Sequence, residues 1–408
     1  MEKSIKNWLR ISVINLLLVA VVGALMRYKI AFSFPFFNQK YLLHAHSHFA
    51  FFGWVTQMLF VFMILFLARY TEGRNIKKYN IILVGNLICS YMMLVFFTQQ
   101  GYGPVSIVFS TLSVLVSYLF SYWYWQDLRK LKKHPSKNWF IASLIFNVLS
   151  AAGTFFLAYM MYSRTIDQNG YLASLYFYLH FQYNGWFFFA AMGLLIAWLL
   201  QKYPQVVISK NVFLYFALTC VPAYFLSTLW AKLPLWLYAL VVVAAVFQVA
   251  AWVLFLSNIK KSIKLPEIKN YTLVNLLFVL VAFSLSIKFI LQLGSTIPIV
   301  SKLAFGFRPI VIAYLHLILL AVFTLFLLAY AYMQGFFGSL KTIKTGIIIT
   351  TVGIFANEFI LLVQGLAAFS YTPVLFVNEL LFGAALTIFT GVLVLVISRY
   401  ETRPDTLL

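Results

Sequence analysis

The stretch His48-Phe-Ala-Phe-Phe-Gly53-Trp54 decides how this chain is read, because it returns as His180-Phe-Gln-Tyr-Asn-Gly185-Trp186. Each copy opens a strongly apolar run, and a third such run opens with Tyr314-Leu-His316. The steps between the three histidines, 132 and 136 residues, are nearly equal, in a chain of 408 residues with only six histidines. A regular internal period bears on architecture before any local pattern does. It also bears on chemistry, since a histidine inside a membrane is costly and marks a site by default.

The flanking sequence makes the membrane the setting. Hydrophobic residues are 63% of the chain, charged residues 10%, and the mean hydropathy is +0.93, values far from those of a soluble domain. Twelve runs are long enough to cross a hydrocarbon layer about 30 Å thick: 8–28, 44–69, 79–98, 104–126, 138–162, 174–200, 211–230, 234–257, 271–292, 308–333, 344–369 and 374–398. In lipid every backbone polar group needs an internal partner, so each run is expected to be a helix. The first follows a basic start but no small-residue cleavage site ends it, and it is expected to persist as a helix.

The net charge of +21 does not indicate nucleic acid, because the basic residues sort by side of the membrane. In the twelve-helix reading, 22 of the 30 lysines and arginines fall in one set of loops, seven fall in the other, and Lys288 lies inside a span. The positive-inside rule then places both termini in the cytoplasm. The expected setting is a bacterial-type inner membrane, with lipid as the surrounding partner. Cys89 and Cys220 both fall within spans and read as small packing residues. There is no Cys-x-x-Cys-His for covalent haem and no paired-thiolate copper motif.

Three repeats of four helices follow, divided near residues 133 and 267 into 1–132, 133–266 and 267–408 within one transmembrane domain. The histidine opens the second helix of each repeat, so the three share an orientation and a depth in the outer part of the bilayer. Helical spacing places His44 and His48 one turn apart on one side, with His46 roughly opposite. The former pair could ligate one metal as other i, i+4 histidine pairs do. Gly53 and Gly185 allow close approach of a neighbouring helix or a flat ligand. His134 sits in a lysine-rich loop and is expected to be solvated.

Twelve helices in three groups of four, with histidines on the second, sixth and tenth, resemble subunit I of the haem-copper oxidase and nitric oxide reductase superfamily. His46-Ser-His48-Phe-Ala-Phe-Phe-Gly53-Trp54-Val55 is similar to the HxHxxxxGWV segment of cbb3-type subunits, where it lies on helix ten. His44-Ala-His46, followed by an aromatic-rich helix after one preceding span, resembles NnrS, a haem- and copper-containing membrane family linked to nitric oxide tolerance. The resemblance implies a low-spin haem, b-type in the absence of a covalent motif. His316 would be one axial ligand, with His46 or His48 the other. It implies a second metal such as copper at His180, together with His44, and haem propionates met by Arg308 or Arg164. It also implies oxidoreductase chemistry, with electron transfer or nitric oxide and oxygen as themes and a quinol or redox protein as donor. The chain departs from that pattern on helix seven (Asn211–Trp230), which has no histidine. It departs again at Tyr314-Leu-His316, with one histidine where the family has two, and at His180-Phe-Gln-Tyr183-Asn184, where the redox tyrosine is displaced. Proton pumping is not implied.

Lys288, Glu358 and Glu379 are further ionisable groups within spans, candidates for a proton path. Glu379 and Lys288 lie near the outer ends of their spans, where they could pair. Two other functions fit the same sequence. One is a proton-coupled transporter using Glu358 and Lys288; the other is a metal-free accessory or assembly protein on the same scaffold.

Overall fold

A computed structural model describes residues 2–70, 76–165, 167–263, 272–337 and 341–398. The regular secondary structure of those residues is all helical, without strands. Apolar sequence and the need to satisfy backbone groups internally account for this. Arg74, Lys264, Lys269, Arg399, Arg403 and the expected repeat boundary near 267 lie outside the described residues.

The helices are α1 (Glu2–Phe32), α2 (Gln39–Tyr70), α3 (Tyr79–Gln100), α4 (Pro104–Lys130), α5 (Lys137–Ser163), α6 (Gln168–Lys202) and α7 (Lys210–Cys220). They continue with α8 (Leu235–Ser262), α9 (Leu273–Gly294), α10 (Pro298–Gly306), α11 (Arg308–Met333), α12 (Lys341–Phe369) and α13 (Val377–Ile397). Among the described residues, eleven of these are long and apolar enough to cross a membrane, which makes the chain a multi-pass membrane protein. The expected span 211–230 is not a straight helix: α7 ends at Cys220 and continues as a 3₁₀ segment, Pro222–Thr228, bent by 48°. Pro222 causes the break, because it donates no backbone N–H and its ring crowds the preceding turn.

Contacts divide the chain into two units. The first comprises Met1–Phe120, Leu276–Val281 and Leu315–Leu408, and the second Ser121–Asn275 and Ala282–Tyr314. In the first unit the core runs along α2, where residues 51–68 are all buried, and along α11, buried from Ala321 to Ala331. In the second unit it runs along α6, where residues 180–194 are all buried. The three histidine-bearing helices are therefore the core helices. Most other spans keep an exposed apolar face, as lipid-facing helices do.

Each core helix changes winding directly after its histidine. π-Helical segments cover Phe49–Thr56, Phe181–Phe187 and Leu317–Thr324, following His48, His180 and His316. The longer i→i−5 bonds are seen where Gln57 N–H donates to Phe52 O and Leu325 N–H to Leu320 O. Such windings are rare and concentrate at functional sites. Side-chain amides support the first of them. Asn15 Nδ2 on α1 donates to Gly53 O at 2.6 Å, and Asn86 Nδ2 on α3 donates to Phe52 O at 3.0 Å. Trp54 Nε1 donates to Thr324 Oγ1 at 2.9 Å, tying the π segments of α2 and α11 together.

Candidate functional site

His48, His180 and His316 are the tenth, thirteenth and ninth residues of their helices, each the last before the π segment. His180 is thus set further from its helix start than the sequence suggests, because α6 begins at Gln168 rather than near 174. Residues 168–173 are too polar to read as part of a span. They extend the helix nonetheless from an Asp167 cap, whose side chain accepts from Gly170 N–H at 2.7 Å.

In α2 the three histidines occupy two faces. His44 and His48 turn toward α3 and the following loop. His48 stacks on Phe97 with ring centroids 4.3 Å apart, its Nε2 lies 3.0 Å from the Tyr102 hydroxyl, and His44 meets Tyr102 edge-on at 4.6 Å. His46 faces the other way, toward α1. A Cβ on Gly23 would lie 3.1 Å from His46 Cε1, so any larger residue there would push the imidazole back by a few tenths of an ångström. His46 Nδ1 is sealed from solvent, and the ring lies within reach of the Val19 backbone carbonyl on α1.

His46 also lies within electrostatic range of His316 on α11 and of Arg27 on α1, and Arg27 within range of Glu358 on α12. The fold therefore gathers two imidazoles, a guanidinium and a carboxylate in the first unit, from positions far apart in sequence. Glu358 Oε1 accepts from Asn357 Nδ2 at 3.1 Å. In the sequence, Arg27 reads as no more than one of the few basic residues on the outer side. Its place 19 residues before His46, one span earlier, carries no motif that reveals its role. Arg308 is exposed at the first turn of α11, and Arg164 is exposed just after α5. Glu379 is exposed in the first turn of α13, where a carboxylate complements the helix dipole. It belongs to the first unit and Lys288 to the second.

His180 has a different environment in the second unit. Its Nε2 donates to Cys220 O at 2.8 Å and its Nδ1 accepts from Asn184 Nδ2 at 3.1 Å. The broken helix explains the first bond. Past Pro222, Tyr224 N–H reaches back only to Val221 O, which leaves the Cys220 carbonyl without its α-helical donor. His180 supplies that donor. With both ring nitrogens engaged it keeps no lone pair for a metal. Among the described residues no group of three or more His, Cys, Asp or Glu side chains could hold a metal ion. A copper centre at His180 and His44 does not fit this arrangement. Replacing His180 with leucine is expected to cost about 1–3 kcal/mol by leaving the Cys220 carbonyl and the Asn184 amide unsatisfied. The measurement is the thermal midpoint of purified protein, and a variant as stable as wild type would remove this role. His134 is half-buried, and its Nδ1 accepts from Ser136 N–H at 3.1 Å, so it caps the turn before α5.

A polar network surrounds the second π segment, and no local motif announces it. Gln182 Nε2 donates to Ser150 Oγ at 2.8 Å, and Asn147 Nδ2 to Ser121 Oγ at 3.1 Å. Asn15 and Asn147 are separated by the same 132 residues as His48 and His180. That shared offset is the signal by which the repeat could disclose them.

Fold and site together define a multi-pass α-helical membrane protein with half-buried histidine, arginine and glutamate side chains in electrostatic range of one another within its spans. No protein-family model matches the chain, and no curated protein is detectably similar to it in sequence.

Proposed function

We propose that this chain binds one b-type haem through His46 and His316 and serves electron transfer or nitric oxide and oxygen chemistry in a bacterial-type inner membrane. The observation that carries the reading is that His46 lies within electrostatic range of His316 in one unit, on two core helices that are both π-helical just beyond their histidines. Neutral imidazole suits iron. A bare zinc or copper ion calls for three or four protein ligands, which no described cluster supplies. A porphyrin brings four nitrogens of its own and asks the protein for one or two. A two-histidine site is therefore matched to haem better than to a free ion. Bound there, haem would supply one-electron redox chemistry, with a quinol or a separate redox protein as donor.

The protein's own groups have definable tasks in this reading. His46 rather than His48 is the partner of His316, since His48 is held by Phe97 and Tyr102. Gly23 keeps α1 clear of the His46 ring. Arg27 offers a cation for the carboxylates of the macrocycle, and Glu358 offsets that cation before haem arrives. The repeated histidine motif and the sided distribution of basic residues support the three-repeat, twelve-span arrangement with cytoplasmic termini.

The test is a dithionite-reduced minus oxidised absorption spectrum, with iron analysis, on full-length protein purified in detergent after expression with adequate haem supply. A sharp α-band with one iron per chain is the expected result. A spectrum without haem bands, in protein without iron, overturns the proposal.

A second reading has its own support. Arg27, Glu358, His46 and His316 form a set of ionisable groups within the spans, as a proton relay requires. In a proton-coupled transporter, Glu358→Gln would abolish substrate-driven acidification of proteoliposomes, in protein free of haem.

A further inference from the structure

In the second unit, Ser284, Lys288 and Gln292 follow one another at i, i+4 and i+8 on α9, and so line one face of the helix. They are 0%, 5% and 6% exposed. Ser284 Oγ has no hydrogen-bond partner, although serines in membrane helices usually bond back to their own backbone, and Gln292 Oε1 has none either.

Among the described residues of this unit, no acid answers Lys288. The described carboxylates there are Asp127, paired with Lys130 at 3.3 Å, and Asp167, which caps α6. The amine instead lies 4.1 Å from the Phe289 ring centroid and within electrostatic range of His180 and Cys220. A buried ammonium without a counter-charge is costly, and the uncommitted hydroxyl and carboxamide add to that cost.

We infer that Lys288, Ser284 and Gln292 form an intramembrane binding site for a small monovalent anion. The anion neutralises the one cation, and the hydroxyl and the rotatable amide donate to it. A divalent oxyanion would leave net negative charge buried in the unit. The near-complete burial of all three side chains limits the guest to the size of a halide, nitrite or formate. This inference stands apart from the haem proposal, which concerns the first unit.

The test uses full-length protein in detergent. Chloride, bromide, nitrite and formate are titrated against gluconate at constant ionic strength, with thermal unfolding as the readout. Saturable stabilisation in at least one small anion is expected. Lys288→Met is expected to lose the anion response while remaining as stable in gluconate as wild type. Ser284→Ala is expected to weaken the anion about fivefold, the weight of one hydrogen bond. The site is refuted by the absence of any saturable response in wild type, or by equal responses in wild type and Lys288→Met. Should Lys288→Met fail to fold, unchanged anion affinity in Ser284→Ala refutes it.

Discussion

Alanine at His316 is expected to abolish the bis-imidazole haem spectrum, and alanine at His46 to do the same. Loss of an outer-shell partner typically costs a metal site about 10–100-fold in affinity, and loss of an axial imidazole costs more. With one histidine gone, the α-band is expected to give way to a broad high-spin spectrum that shifts on adding carbon monoxide. With both gone, iron is expected to fall below detection in purified protein. His48→Ala and His44→Ala serve as controls and should keep the α-band, because those rings pack on Phe97 and Tyr102 rather than toward α1. Loss of the band in His48→Ala with its retention in His46→Ala would reverse the assignment of ligands.

The second large effect concerns the fold. A Cβ placed on Gly391 of α13 would lie 2.4 Å from both the backbone N and Oγ1 of Thr350 on α12. Gly353 repeats the constraint, its Cβ falling 2.7 Å from Ile388 N. The two helices touch backbone to backbone, so no side-chain adjustment can make room. Close approach of this kind is how small residues join membrane helices. Gly391→Val must force the helices apart, and overpacking typically costs about 1–3 kcal/mol, more where backbone opposes it. The expected outcome is a sharp loss of folded, monodisperse protein on size-exclusion chromatography. Gly383→Val on the same helix meets nothing within 4 Å and should behave as wild type. Equal behaviour of the two variants would show that α12 and α13 are not held by this contact.

How far the chain can be read from its sequence depends on the kind of signal. Eleven of the twelve apolar runs are unbroken helices because hydropathy and backbone satisfaction impose them. The exception, 211–230, contains Pro222, and the bend falls where a missing N–H dictates. Helical periodicity places His46 opposite His44 and His48, since that depends only on 3.6 residues per turn. The partners of those histidines are beyond its reach. Nothing local ties Gly23 or Arg27 to His46, or the Cys220 carbonyl to His180, because these depend on packing between distant spans. The π segments also leave no trace in the pattern, since Phe-Ala-Phe-Phe and Leu-Ile-Leu-Leu are equally apolar in either winding. The short helix α10, between two spans, gives no signal either, because nine residues with a single lysine read as loop.

The change of winding after each histidine has a consequence for insertion and deletion. A π segment accommodates roughly one residue more than the α-helix it replaces, and each residue of an α-helix turns the chain by about 100°. Deleting one residue there, Ala50 for example, would let α2 rewind as a plain α-helix with its two halves in nearly their present angular relation, because the π segment already absorbs the extra residue. The same deletion in the α-helical part of α2, between Gln57 and Tyr70, would instead turn His44, His46 and His48 by about 100° against the rest of the helix, while the hydropathy profile stayed almost unchanged. Each of the three core helices therefore carries a joint that can take up a one-residue change in length without re-aiming its histidine.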